Sequence, residues 1–179
     1  MSITRRVALA LPFAAVAGRA FAEDEPDPQN TLVLETKYGK TLIALRGDIA
    51  PKHVAQIKKL VKRKFYDGIV FHRVIPGFMA QTGDPTGTGT GKSDLPNIPG
   101  EFTDTPFLRG AVGMARSQSP DSANSQFFIC FDAASFLDNK YTVWGKVVSG
   151  MDAIDKIAPG EPPKSPDKII SLRLLADAK

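Results

Sequence analysis

The stretch Phe65-Tyr66-Asp67-Gly68-Ile69-Val70-Phe71-His72-Arg73-Val74-Ile75-Pro76-Gly77-Phe78-Met79-Ala80-Gln81-Thr82-Gly83-Asp84-Pro85 decides how this chain of 179 residues folds. Two apolar runs, 69–74 and 78–82, stand on either side of Pro76-Gly77, a pair that interrupts strands. Runs of the same kind recur at 31–36, 40–45, 110–114, 125–131, 141–148 and 168–175, rich in Val, Ile, Phe and Leu. Each is bounded by Gly, Pro, Asp or Asn, the punctuation expected of short strands. Tyr38-Gly39 reads as the turn joining the first two. Only two segments have helical period: 51–63, opening with Pro51 at the first helical position, and 150–157, with Met151, Ile154 and Ile157 on one side. Eight strands and two helices predict an all-β domain. Closing the eight strands into a barrel would remove every exposed edge and enclose an interior that side chains can fill.

Ahead of this domain, residues 1–22 have the layout of a cleavable signal peptide. A short basic region (Arg5, Arg6) precedes an apolar stretch from Val7 to Val16, and small residues end at Ala20-Phe21-Ala22. The apolar stretch is short of the ~20 residues that cross a bilayer, and Pro12 interrupts it. Cleavage after Ala22 is therefore expected, with no stable membrane insertion afterwards and a periplasmic or secreted location. Arg5-Arg6 suits the twin-arginine route and also occurs in ordinary secretory signals, so both routes stay open. Residues 23–30, polar and proline-bearing, read as a linker, and the folded domain as 31–179.

Removing the leader changes the charge balance. It takes three of the 23 basic residues and none of the 19 acidic ones, leaving 20 against 19. The basic character thus belongs to the leader, and nucleic acid is not an expected partner. Six Lys or Arg do crowd residues 52–64. Lys52, Gln56, Lys59 and Arg63 fall on one side of a helical wheel, and Val54, Ile57, Leu60 and Val61 on the other, which is a solvated face opposite a core face. The single cysteine, Cys130, lies in an apolar run and reads as a small buried hydrophobe. Two histidines without a thiol pair leave a zinc site little to build on. Gly83–Gly91 does not lead into a helix as a phosphate loop must, and no Gly-x-Ser-x-Gly elbow occurs.

The 65–85 stretch, continuing Thr86-Gly87-Thr88-Gly89-Thr90-Gly91, resembles the central motif of the cyclophilins, the peptidyl-prolyl cis-trans isomerases. Met114-Ala115-Arg116-Ser117 with Asn124-Ser125-Gln126-Phe127-Phe128-Ile129 resembles their second motif, and Phe136-Leu137-Asp138-Asn139-Lys140-Tyr141-Thr142-Val143-Trp144-Gly145 their third. The resemblance covers about residues 31–176. Together with the leader it points to a monomeric isomerase acting on proline-containing segments of exported polypeptides. The fold it implies is an eight-stranded antiparallel β-barrel capped by two α-helices, which agrees with the strand and helix count. A non-catalytic proline-peptide binding module or holdase would use the same groove.

The chemistry asked of the residues is limited. An X-Pro bond turns slowly because amide resonance must be broken. No bond is made or cut, so no nucleophile, metal or cofactor is expected. What is needed is an apolar pocket for the prolyl ring, grips on the flanking peptide and a donor favouring the twisted amide over the planar one. Arg73 matches the family's catalytic arginine, and a permanently charged guanidinium suits a donor that never acts as a base. Phe78, Met79 and Phe128 correspond to the proline pocket, Gln81 and Gln126 to its polar contacts. Ala115 and the backbone of Arg116 correspond to a segment that pairs with extended substrate. Phe136, Leu137 and Tyr141 complete the expected groove. Phe136 stands where the eukaryotic pattern has tryptophan and Tyr141 where it has histidine, and one residue is added near Gln118–Asp121. Strand alternation puts Phe127 and Ile129 on the core side, opposite Gln126 and Phe128. The same alternation turns His72 away from Arg73, as a structural, hydrogen-bonding histidine.

Overall fold

In the computed structural model, which describes residues 25–178, eight short strands form one antiparallel sheet. They are β1 (Thr31–Thr36), β2 (Gly39–Leu45), β3 (Arg73–Ile75), β4 (Met79–Thr82), β5 (Ala111–Met114), β6 (Phe127–Cys130), β7 (Val143–Ser149) and β8 (Ser171–Leu174). Helix α1 (Pro51–Lys62) follows β2, and the short α2 (Met151–Ile154) follows β7. The signal-peptide reading lies outside the described residues.

Strand order across the sheet is β3-β4-β6-β5-β7-β2-β1-β8, so β3 and β8 are its edges. The sheet curls into a half-barrel that stays open, where the strand count had suggested closure. Across the seam there are single hydrogen bonds in place of a ladder: Gly68 N–H to Ile169 O (2.8 Å), Ile169 N–H to Ile69 O (2.9 Å) and Phe71 N–H to Asp167 O (2.8 Å). The seam's composition explains this. The segment that meets β3 through Gly160 carries Pro162, Pro163 and Pro166, which have no N–H to donate, and proline is confined to sheet edges for that reason. The expected strand 69–74 accordingly shortens to Arg73–Ile75, with Val70 held by one isolated bridge to Lys168. The expected helix 150–157 ends at Ile154. The 3₁₀ turn at Ser135–Leu137, which strand and helix periodicity did not anticipate, supplies part of the site below.

The inner face of the sheet holds the main core. Leu32, Leu34, Ile43, Phe127, Ile129, Trp144 and Leu172 are all fully buried there. Burying each such side chain contributes roughly 1.5–3 kcal/mol. Helix α1 packs on β7 and β8 and adds Val54, Ile57, Leu60 and Val61, the apolar side of the wheel. Its first turn has no side-chain cap of its own, since Ala50 precedes it. The carboxylate of Glu101, from the long 83–109 connection, substitutes: it accepts the N–H groups of Lys52 and His53 (3.1 Å each) and lies 2.7 Å from His53 Nδ1. A negative charge at a helix N-terminus is also attracted by the positive end of the helix dipole, and one loop residue thereby ties the connection to the helix. Residues 27–30 are likewise fixed to the domain, Pro28 O accepting from Ala176 N–H (3.0 Å) and Asn30 O from Leu45 N–H (2.8 Å).

A second, smaller cluster occupies the other face. Met79, Phe107, Phe128, Cys130, Leu137 and Val143 are buried in it, so the alternation along β6 divides Phe127 and Ile129 from Phe128 and Cys130 as expected. Burial raises the Cys130 thiol to about 12, which keeps it an inert apolar group.

Candidate active site

The second cluster is the floor of an open cleft of about 450 Å³. Strand register builds it. Arg73 on β3 pairs with Gln81 on β4, Gln81 with Phe128 on β6, and Phe128 with Gly113 on β5. Directly paired residues share a sheet face, so the cation, the amide and the aromatic ring stand in one row. Gly113 closes the row because nothing larger fits: a Cβ there would overlap the rings of Phe128 and Phe107. Phe128 is stacked on Phe107 at 5.7 Å and set edge-on to Tyr141 at 6.1 Å between ring centroids. Met79 beside it is 1% exposed. Phe78, Leu137 and Tyr141 complete the apolar wall.

The polar residues divide their work. Gln81 Nε2 donates to Gln126 Oε1 (2.9 Å), and Gln126 Nε2 donates to Gly89 O (3.0 Å) and Gly91 O (2.8 Å). Gln126 is therefore committed to holding the glycine-rich loop and lines the neighbouring hollow, not the main cleft. Asp84, buried at the base of that loop, accepts from Thr86 N–H (2.7 Å), Thr86 Oγ1 (2.7 Å) and Gly91 N–H (3.1 Å). Burial alone would raise its carboxyl, but these hydrogen bonds outweigh burial and hold it below the usual carboxylate range. Gly87 and Gly89, at φ +70° and +89°, bring the loop's backbone to the cleft wall, a path that side chains resist.

Arg116 has its guanidinium 4.4 Å over the Tyr141 ring, with Nη2 donating to Lys140 O (2.8 Å) and Nη1 to Ser117 O (2.9 Å). The side chain thus braces the rim. The main chain beside it is left open to a ligand. Ala115 N–H bonds to Gln126 O (2.9 Å), while no described backbone group takes the N–H or C=O of Arg116. An extended peptide can pair there.

Of the expected site residues, Arg73, Phe78, Met79, Gln81, Ala115, Arg116, Phe128, Leu137 and Tyr141 meet in the cleft. Phe136 stands outside it at the rim, 59% exposed, its ring 5.1 Å from that of Phe78. Two groups were missed. Glu161 and Pro162 line the cleft from the 155–170 connection, and Glu161 Oε2 accepts from Arg73 Nε at 2.7 Å. Nothing local in that proline-rich segment signals a site. The only signal is long-range, the bridge between Val74 and Gly160.

His72 needs correction. It lies in the cleft wall with Arg73, because β3 begins only at Arg73 and strict alternation does not extend to the residue before it. Nor is it a hydrogen-bonding histidine: neither ring nitrogen has a partner among the described residues. Burial lowers its pKa and neighbouring Arg73 adds to this, against the opposing pull of Asp84. Burial likewise lowers the pKa of His53, Glu101 opposing. Both imidazoles therefore take up a proton less readily in the fold than in the unfolded chain. Once unfolded they titrate near ~6.5, so below that pH the unfolded chain takes up protons that the folded chain refuses. Stability should then be flat at higher pH and fall as pH drops through ~6.5 toward the folded values, at most about 1.4 kcal/mol per pH unit for each histidine. Urea unfolding at pH 7.5, 6.5 and 5.5 reads this, and His72→Gln should reduce the slope. An unchanged slope in that variant would contradict the assignment.

Comparison with known proteins agrees with this geometry. The family model described as cyclophilin type peptidyl-prolyl cis-trans isomerase/CLD matches residues 31–174. A Brucella suis protein named a probable peptidyl-prolyl cis-trans isomerase is 52% identical, over 100% of both chains. The crystal structure of cyclophilin AquaCyp293 from Hirschia baltica is 33% identical with a TM-score of 0.79, over 86% of this chain and 77% of that one. A Cryptosporidium parvum cyclophilin-type isomerase, determined in the presence of the dipeptide Ala-Pro, is 27% identical with a TM-score of 0.76, over 80% of this chain and 98% of that one.

Proposed function

The chain belongs to the cyclophilin-type peptidyl-prolyl cis-trans isomerases and is an isomerase of X-Pro bonds, and on that premise we propose that it works after export, on extended proline-containing segments of folding polypeptides. The observation that carries the mechanism is the row of Arg73, Gln81 and Phe128 across three paired strands. The prolyl ring enters the apolar hollow of Phe78, Met79 and Phe128. The chain next to it pairs with the free main-chain groups at Arg116. Rotation about the X-Pro bond has a barrier of about 18–20 kcal/mol from lost resonance. As the amide twists, the prolyl nitrogen regains its lone pair and becomes an acceptor. The Arg73 guanidinium donates to the twisted amide and has no equivalent acceptor in the planar one, so it stabilises the transition state selectively. The Ala-Pro dipeptide named with the Cryptosporidium parvum protein supports a prolyl ligand for this cleft.

Export is read from residues 1–22, whose removal leaves a mature chain beginning at Glu23 that acts as a monomer in the periplasm or outside the cell. Two measurements test the proposal. NMR exchange on a short X-Pro peptide should show accelerated cis-trans interconversion with the mature chain. Peptide binding without acceleration would indicate a holdase instead. Cell fractionation with N-terminal sequencing should find the chain outside the cytoplasm and starting at Glu23. An intact Met1 in the cytoplasm would refute export.

A further inference from the structure

We infer that Glu161 is a positioning residue for Arg73, holding the guanidinium by its Nε so that the Nη donors are presented to the bound amide. The inference rests on the reading of Arg73 as the donor in catalysis. Three observations support it. First, the bond is short and charge-assisted, Arg73 Nε to Glu161 Oε2 at 2.7 Å, the class that is stronger and more directional than neutral hydrogen bonds. Second, it is placed by the backbone. Val74 and Gly160 exchange both hydrogen bonds, Val74 N–H to Gly160 O (2.8 Å) and Gly160 N–H to Val74 O (2.9 Å). In an antiparallel bridge the residue before one partner faces the residue after the other, so Arg73 and Glu161 are opposed by register. Third, Arg73 needs such a partner. Its side chain is 42% exposed, and no other described side chain bonds its guanidinium. An arginine held only at its backbone keeps most of its rotamer freedom and must lose it in the transition state.

The carboxylate occupies one edge of the guanidinium through Nε and leaves Nη1 and Nη2 without a described partner. Those are the donors that remain for a twisted amide in the cleft. Although Glu161 lines the cleft wall, its carboxylate is engaged by Arg73. It acts through Arg73.

The test uses the mature chain in the peptide-exchange assay. Glu161→Ala should lower kcat about two- to fivefold, the range in which partly exposed ion pairs act, with a smaller change in KM. Glu161→Gln, whose amide oxygen can accept the same Nε–H, should recover at least half of the loss. In an Arg73→Ala background Glu161→Ala should have no further effect, because its partner is gone. The Arg73 Nε–H signal in a 1H–15N spectrum should lose its protection from exchange in Glu161→Ala and keep it in Glu161→Gln. Wild-type turnover in Glu161→Ala, alongside an inactive Arg73→Ala, overturns the inference and spares the catalytic reading. An equal loss on the Arg73→Ala background also overturns it, since the effect would then be structural. Full activity in Arg73→Ala itself overturns the catalytic reading and this inference with it.

Discussion

Replacing Arg73 by alanine is expected to lower kcat/KM for an X-Pro peptide at least tenfold, about 1.4 kcal/mol of transition-state stabilisation, without unfolding the protein. The two halves of that expectation have different sources. The fold should survive because Arg73 belongs to neither apolar cluster and its side chain is 42% exposed. The ion pair with Glu161 that disappears is half in water, where such pairs are worth ~0.2–1 kcal/mol. Backbone pairing of Arg73 with Gln81 survives any side-chain change. Activity should fall because, of the groups lining the cleft wall beside the proline pocket, Arg73 is a fixed, always-charged donor. Gln81 has already given an amide hydrogen to Gln126, and the Arg116 guanidinium is bound to the rim carbonyls. Lysine should restore little, since a point charge on a flexible stem reproduces neither the planar fork nor the Nε bond to Glu161. A folded Arg73→Ala variant with near-wild-type turnover would remove Arg73 from the mechanism.

How much of this was legible in the sequence depended on whether the deciding contacts were local. Helix α1 was readable because its apolar residues recur with helical period behind Pro51, and the hairpin of β1 and β2 because Gly39 accepts a backbone angle of +132°. The division of β6 into Phe127 and Ile129 inward, Phe128 outward, follows from period two alone. What failed was long-range. Whether the sheet closes depends on donors missing at Pro162, Pro163 and Pro166 from a segment that meets β3 only in space. Glu161 reaches Arg73 from 88 positions away, through that same segment. Gln126 has the expected position, yet its amide is spent on Gly89 and Gly91, a choice set by the loop's path. His72 misled because alternation was extended one residue beyond the strand.

Phe136→Trp should tighten binding of cyclosporin, the inhibitor associated with the resembled family, by about tenfold or more while changing turnover little. In the eukaryotic pattern an indole at this position offers an N–H donor and a broad apolar face. Phe136 retains the apolar ring without the donor, and its contact area is smaller. A missing hydrogen bond to a buried ligand acceptor costs about 0.5–1.5 kcal/mol, and more when the acceptor is left unsatisfied. The wild-type enzyme should accordingly bind the drug weakly. The position can take the larger ring: Phe136 is 59% exposed at the rim and packs on Phe78 from outside the cleft, so the indole meets water where a core site would meet neighbours. Its exclusion from the cleft also separates the two functions. The twisted amide is addressed by Arg73 and the prolyl ring by Phe78, Met79 and Phe128, and of the four Phe78 meets the Phe136 ring from outside the cleft while keeping its place in the wall. Titration of the drug against both proteins, with the catalysed rate as readout, measures the difference. Tight inhibition of the wild type, or no gain in Phe136→Trp, would show that Phe136 is not the limiting contact. Tyr141 would be the first to examine, since its ring is already engaged by Arg116 at 4.4 Å where the eukaryotic pattern has a histidine.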